Sequence, residues 1–555
     1  MTNKAIAKLF DELAKLMELH GENSFKIRSY QNAYITIRKL EDPLAELSDD
    51  QIIAIPGVGK AIAEKIREAI NTGTFPTLEK FREITPNGVV DLLKIDGLGP
   101  KKVDALWKDL EIESPGELLY ACNENRLVVL KGFGEKTQTE IKMKTEYYLA
   151  SKNKFLYKNA AIELDEFISN IKQNQPELNF QVVGEMRRNL PVVNSIELLV
   201  VGENANSFLT KNADILLEAV ENEHYIKGKS TNGYPIIIYF CAPNELGSKL
   251  FKYTGPLDYI NQFVERNKNI SFKDIDDENQ IFVKSNTPFL NPVLRDGILN
   301  NESWWQNPPN DLIEVEHIKG IVHNHSTYSD GIHTLKEMAD YVRSSGFEYF
   351  VITDHSKSAF YANGLKEDML LQQIEEIKKL NETYTDFKIF SGIESDILWD
   401  GQLDYADEIL NQLDVVVASV HSILKMDIDK ATERLIKAIE HPATRILGHP
   451  TGRLLLSREG YPINHKKVID ACAANNVVIE VNANPLRLDI DWQWITYCTE
   501  KGVKISINPD AHNKMSIHDI KYGVCAAQKG GLTKGNCLNT KNLQEFSKWV
   551  ESKKS

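Results

Sequence analysis

A chain of 555 residues exceeds what one hydrophobic core organises, so three or four domains are expected. Its 42% hydrophobic and 26% charged content is that of an ordinary globular protein, and a formal net charge of −14 excludes nucleic-acid binding through a broadly basic surface. No apolar run approaches the roughly 18 residues of a membrane span, the chain opens on a charged amphipathic stretch, and the six cysteines are scattered with no C-x-x-C pair, which predicts a reduced cytoplasmic protein with no membrane partner.

The first 47 residues read as helical. Ile6, Phe10, Leu13 and Met17 recur at helical spacing, and Phe25 to Tyr30 opens a second helix. Ile55-Pro56-Gly57-Val58-Gly59-Lys60 then leads into an amphipathic stretch from Ala61 to Asn71. A hydrophobic residue, a Gly-x-Gly turn and a helix carrying Lys form the helix-hairpin-helix pattern, whose glycines let backbone N–H groups at a helix start face a phosphate. The pattern returns about 35 to 40 residues apart, with Gly97, Gly99 and Lys101 and again with Gly132, Gly134 and Lys136. Three copies predict binding to the DNA backbone without sequence preference, and because backbone groups make the contacts the segment need not be basic. Residues 1–150 indeed hold 21 Lys+Arg against 24 Asp+Glu.

From Leu156 to Ile238 strands and helices alternate: Phe180 to Val183, Ile196 to Val201 and Pro235 to Phe240 read as strands, with Gly184-Glu185-Met186-Arg187-Arg188 as a landmark. Tyr253-Thr254-Gly255 and Thr287 to Arg295 follow, and then Trp304-Trp305-Gln306-Asn307-Pro308-Pro309 reads as a break into the next domain, its tryptophans packed against a neighbouring domain.

Beyond Ile321 each apolar, β-branched run ends in metal-ligand chemistry. Buried parallel strands are predicted at Tyr349 to Ile352, Val415 to Ala418, Val477 to Glu480 and Val503 to Ile507. Helices are predicted between them at Leu335 to Ser344, Met369 to Leu380, Ala431 to Glu440 and His465 to Ala474. His323, His325, Asp330, Asp354, His355, Glu394, His421, His449, Asp510 and His512 thus fall after strands, at the end where barrel enzymes keep their chemistry. Imidazoles mixed with carboxylates suit Mn, Zn or Fe, and nine ligands among these ten residues are too many for one four- to six-coordinate ion. Two or three divalent ions are implied, and with them metal-assisted phosphoester hydrolysis.

The stretch from Gly320 to Leu538 resembles a PHP domain, carried by His323-x-His325, Ser329-Asp330-Gly331, Asp354-His355, Gly392-Ile393-Glu394, His421, Gly448-His449-Pro450 and Asp510-Ala511-His512. That resemblance implies a distorted seven-stranded barrel with a trinuclear site. Its ligands are His323, His325, Asp330, His355, Glu394, His421, His449, Asp510 and His512, with Asp354 as the carboxylate orienting them and Arg453, Lys357 or Arg487 holding substrate phosphate. Hairpins, the Gly184 landmark and PHP segment together resemble the bacterial family X DNA polymerases. The fold class expected is multidomain α+β: an all-α helix-hairpin-helix region over 1–150, a nucleotidyltransferase-like α/β palm over 151–242, a thumb over 243–303, a linker over 304–318 and the (β/α)7 PHP barrel over 319–555.

The palm departs from the family where three carboxylates hold two Mg²⁺ ions. Ser195, Glu197 and Ile237 stand at those positions, and Glu185 replaces a serine where a triphosphate is cradled. The resemblance therefore implies a repair protein acting as a metal-dependent phosphoesterase on gapped, nicked or damaged DNA, as 3′-5′ exonuclease, 3′-phosphatase or abasic-site endonuclease, with an idle palm and as a monomer. An active family X polymerase and a small-molecule phosphatase of the histidinol phosphate type are the alternatives.

Overall fold

A computed structural model describes residues 1–40, 42–123, 127, 130, 132–151, 154–222, 224–456 and 459–552. Lys131 of the third hairpin lies outside them, as do the last three residues of the polar end, Glu551 to Ser555, that is expected to fray. The chain forms two compact units, Met1–Asn153 and Lys154–Ser555.

The regular elements among the first unit's described residues are all helices. Its opening helix, Asn3–Leu19, is capped by the Thr2 side chain, which accepts from the Ala5 N–H, and the predicted stripe of Ile6, Phe10, Leu13 and Met17 is buried. That stripe joins Ile66, Phe75, Leu92 and Leu106 from later helices in one core. The hairpin helices Lys60–Thr72, Pro100–Leu110 and Glu135–Ser151 each begin just after a second motif glycine.

The second unit contains two sheets that matter here. In the palm, β1 (Phe180–Val183), β2 (Ile196–Val201), β3 (Leu217–Glu221), β4 (Tyr225–Lys229) and β5 (Pro235–Cys241) are ordered β1-β2-β5-β4-β3. Only β2 and β5 run parallel, in a register that sets Glu197 beside Ile237. The predicted break after the palm and thumb is packed: Trp305 lies against Tyr259 and Phe263, and Trp304 fills the space beside Gly297 and Gly531.

The barrel comprises β6 (Gly320–Ile321), β7 (Tyr349–Ile352), β8 (Lys388–Asp396), β9 (Val415–Ser419), β10 (Thr444–Leu447), β11 (Val478–Asn482) and β12 (Ile505–Asn508), all parallel and adjacent in chain order. Tyr349, Val351, Val415 and Val417 share an interior core with Phe546 and Val550 of the last helix, while Phe350, Ile352 and Val416 face the surrounding helices. Burial on both faces is why these strands read as unbroken apolar runs. The seam between first and last strands is bridged by the Asn539 side chain, which donates to the Gly320 and Ile507 carbonyls and accepts from the Ile507 N–H at 2.8 Å, and beyond the strand ends by the His325 N–H, which donates to the Ala511 carbonyl at 2.9 Å.

Candidate metal centre

The nine residues expected as ligands converge at the C-terminal end of the barrel strands. His323 and His325 follow β6, His355 follows β7, Glu394 lies within β8, and His421, His449 and Asp510 with His512 follow β9, β10 and β12. They fall into four overlapping groups: His325, Asp330, His355 and His512; His323, Glu394 and His449; His323, His325 and Asp510; His355, Glu394 and His421. Within each group one potential ligand atom per residue lies within 4.8 Å of the others. Glu394 is the hub. Its Oε1 is 3.1 Å from His323 Nε2 and 3.0 Å from both His421 Nε2 and His449 Nε2, and its Oε2 is 3.0 Å from His355 Nδ1. His323 and Asp510 hold left-handed backbone, with φ of 62° and 52°, a conformation non-glycine residues keep only where the surroundings enforce it.

Ring orientation comes from carboxylates the sequence reading did not assign. Glu480, fully buried on β11, bonds His323 Nδ1 at 2.6 Å and accepts from the His449 N–H and from Asn482 and Asn508. Asp396 bonds His421 Nδ1 on the side away from Glu394. An acid amid the apolar residues of a buried parallel strand was the available signal for Glu480, because a buried carboxylate needs partners.

Two expectations change. Asp354 accepts from the Ser326 and Ser329 N–H and hydroxyl groups and from Gln373, so it braces the turn that carries Asp330 and bonds no ligand ring. The Arg453 guanidinium is committed to the Arg487 and Leu488 carbonyls and to Asp491, which leaves no directed fork for a substrate phosphate. Lys357 is paired with Glu367, whereas Arg487 Nε lies 3.8 Å from Asp510 Oδ2 at the edge of the cluster.

The cluster's electrostatics fit cations. Burial lowers the tendency of His421 to protonate, yet Glu394 and Asp396 outweigh it and lift the ring to about 10; Asp330 and Asp510 lift His512 to about 9 against the same burial. His325 is pushed to about 3, by burial first and then by His512 and His355. Buried His323 Nε2, His325 Nδ1 and Glu394 Oε2 have no hydrogen-bond partner, although oxygens and ring nitrogens crowd around them. Protons alone leave such a set mismatched, and divalent cations between nitrogens and carboxylates would satisfy it.

The palm positions look different. Glu185 accepts from the Asn194 N–H and side-chain amide at 2.6 and 2.7 Å, and Glu197 accepts from Tyr239 and Ser195. Tyr239 is in turn stacked on Tyr253 at 3.9 Å. A Cβ on Gly184 would come within 2.4 Å of Glu197 Oε1, so this carboxylate packs directly against the Gly184 turn. Arg187 binds Thr254 and Glu278, and Arg188 binds Asp296 and the Thr254 carbonyl. Among the described residues, every cluster of three or more acids, histidines or cysteines fit for a metal lies in the barrel.

In the hairpins, Gly57, Gly97 and Gly132 have φ of 84°, 81° and 92°, which explains the first glycine of each motif. Gly59 and Gly99 have ordinary φ near −80°, and a Cβ at either, or at Gly134, would meet nothing within 4 Å. Internal packing does not require glycine there. Lys60, Lys101 and Lys136 are exposed beside these open backbones.

Comparison with known proteins agrees with this architecture. A helix-hairpin-helix domain model matches residues 1–75, a SAM-like helix-hairpin-helix tandem matches 89–145, and the PHP domain matches 322–484. A protein of Thermoanaerobacter sp. (strain X514) named as a probable phosphatase is 28% identical over 233 residues, 38% of this chain and 92% of that one. A probable phosphatase of Acetivibrio thermocellus is 24% identical over 241 residues, 42% of this chain and 95% of its own. The DNA polymerase/3'-5' exonuclease PolX of Bacillus subtilis (strain 168) is 31% identical over 575 residues, 99% of this chain and 100% of that protein. With hairpins, palm and metal-ligand barrel in the same order along nearly the whole length, this chain belongs to the family X DNA polymerases that carry a C-terminal PHP domain.

Proposed function

We propose that this protein is a divalent-metal-dependent phosphoesterase that trims or cleans DNA ends in repair, with its chemistry in the barrel and an idle palm. The convergence of all nine ligand-type residues, Glu394 among them, in four overlapping groups carries the reading. Two or three ions of Mn, Zn or Fe would be held by His323, His325, Asp330, His355, Glu394, His421, His449, Asp510 and His512. Bound there, they supply an activated water and offset charge on the phosphoryl group. The protein's own groups set the stage for that. Glu480 and Asp396 hold the His323 and His421 rings with a nitrogen turned towards Glu394. His512 and Asp330, with side chains 38% and 30% exposed, mark the side open to substrate. Arg487, anchored through its carbonyl by Arg453, stands where it can meet a phosphate oxygen, which makes Arg453 a positioning residue.

The domain assignment follows the same logic: residues 1–150 grip DNA, 151–242 and 243–303 form palm and thumb, 304–318 joins them to the barrel, and 319–555 cuts. Open backbone at Gly59, Gly99 and Gly134 suits close approach of a phosphate, with Lys60, Lys101 and Lys136 beside it. The printed name of the Bacillus subtilis relative couples polymerase with 3'-5' exonuclease, and the crowded palm of this chain favours the second.

The deciding assay uses the purified full chain, Mn²⁺, and labelled gapped, 3′-phosphate and abasic DNAs, with and without dNTPs. Metal-dependent shortening or end-cleaning without dNTP incorporation is expected; inertness on every DNA, with a chromogenic phosphoester still cleaved, would favour the small-molecule phosphatase. Removing residues 1–150 should weaken DNA processing about tenfold or more while changing chromogenic phosphoester cleavage less than about twofold, since the hairpins position and the barrel reacts. Equal DNA processing by the truncated chain would make the hairpins structural.

A further inference from the structure

Three loops on the ligand side of the barrel carry bare apolar side chains. Phe360 is 86% exposed and lies five residues after His355. Trp399 is 47% exposed and five residues after Glu394, with Lys430 Nζ 4.6 Å from the centre of one ring face and the other face left to a ligand, and Ile423 is 53% exposed and two residues after His421. Five extended residues reach at most about 18 Å, so each of the three lies within that distance of a ligand-type residue. They arise from β7, β8 and β9, which are neighbours in the sheet.

The loops are braced by buried polar groups while their apolar tips are left in solvent. The Ser358 N–H donates to Asp404 at 2.6 Å and the Ser358 hydroxyl bonds the same carboxylate, tying the Phe360 loop to the Trp399 loop. Arg434, only 1% exposed, ties the Trp399 loop to the Ile423 loop: its guanidinium donates to the Ile397, Leu398, Ser422 and Ile423 carbonyls. Ile423 is held at φ 54°, a region β-branched residues avoid.

We propose that Phe360, Trp399 and Ile423 form a rigid apolar platform that receives the unstacked base of the DNA strand end whose phosphodiester lies at the metal centre. The platform rests on the DNA phosphoesterase reading and specifies its substrate as a strand end bearing a base. Stacking on an aromatic face tolerates any base, since each has a π-face.

The test compares full-length protein with Mn²⁺ on single-stranded oligonucleotides ending in an ordinary or a base-free 3′ nucleotide. Base–aromatic stacking is worth roughly tenfold in affinity, so the native chain should show a KM lower by about that factor for the base-bearing end. Phe360→Ala and Trp399→Ala should erase most of that preference with kcat changed less than about twofold, and Val283→Ala, exposed in the thumb, should keep it. Ile423→Gly should also reduce it while leaving Tm equal or higher, because glycine relieves the left-handed backbone. Equal KM for the two ends in the native chain, or variants that lose equally on both, would overturn the platform alone. Failure to cleave any oligonucleotide, with a chromogenic phosphoester still hydrolysed, would overturn the DNA reading and the platform with it.

Discussion

His323→Ala and Asp510→Ala are each expected to abolish metal-dependent phosphoester hydrolysis, a loss of roughly a thousandfold or more at saturating substrate. His323 takes part in two of the four ligand groups, so its loss disturbs both, and Asp510 shares one of them with it, so its loss removes the only carboxylate of that group. Losing a bridging water and a phosphoryl clamp together costs several kcal/mol of transition-state stabilisation, and each ~1.4 kcal/mol is tenfold in rate. His323→Ala also strands the fully buried Glu480 without its ring partner, at a stability cost of about 3–5 kcal/mol if the carboxylate stays charged. Asp510→Asn keeps the shape and guards against a mere folding defect. Metal content by elemental analysis, circular dichroism and Mn²⁺-dependent turnover decide together. Folded variants with native metal content and native turnover would rule the site out. Glu480→Gln, one bond removed from the metals, should cost less, about 10- to 100-fold.

Primer extension by this chain is expected to fall below the rate of a three-carboxylate palm by about three or more powers of ten. Ser195 and Ile237 offer no anionic oxygen, and β2 pairs with β5 so that Glu197 has Ile237 as its neighbour rather than a second acid. Burial raises the Glu197 pKa, the Tyr239 hydrogen bond opposing it and the nearby Glu185 charge adding to it. A carboxyl so placed is a poor Mg²⁺ ligand, since Mg²⁺ demands near-octahedral oxygen geometry. Without paired ions the attacking 3′ oxygen is not activated and the moving charge is not offset. The measurement is dNTP incorporation on gapped DNA by the native chain and Glu197→Ala. Robust incorporation that vanishes in Glu197→Ala would defeat the prediction, and incorporation persisting in that variant would indicate contamination.

Much of the barrel was legible because its signals are local. The helix expected from Leu335 to Ser344 has those bounds, and the one expected from Met369 to Leu380 is Glu367–Asn381, since 3.6-residue periodicity and caps such as Thr334 act within a few residues. Ligand chemistry was legible because strand ends and helix starts bring His and acidic residues to one rim of a parallel barrel, whatever the detailed register. The hairpin glycines were legible for a similar reason, as a left-handed φ at Gly57, Gly97 and Gly132 narrows the choice of residue.

What escaped the sequence reading depends on partners far along the chain. Glu480 meets His323 across 157 residues, Arg453 meets Arg487 across 34, and Asp354 turns to Ser326 and Gln373 rather than to a ligand. A carboxylate or guanidinium carries the same charge in any of these roles, so only the packed directions of its bonds distinguish ligand support, loop bracing and substrate contact. The same holds for Asn539, whose side chain bridges the barrel seam, and for left-handed Ile423, whose carbonyl accepts from Arg434. Residue types along the chain by themselves determined helices, strands, hairpins and the chemistry available at the strand ends. Tertiary structure decided which buried polar groups satisfy one another, because hydrogen bonds are short and directional while the segments that make them are distant in sequence.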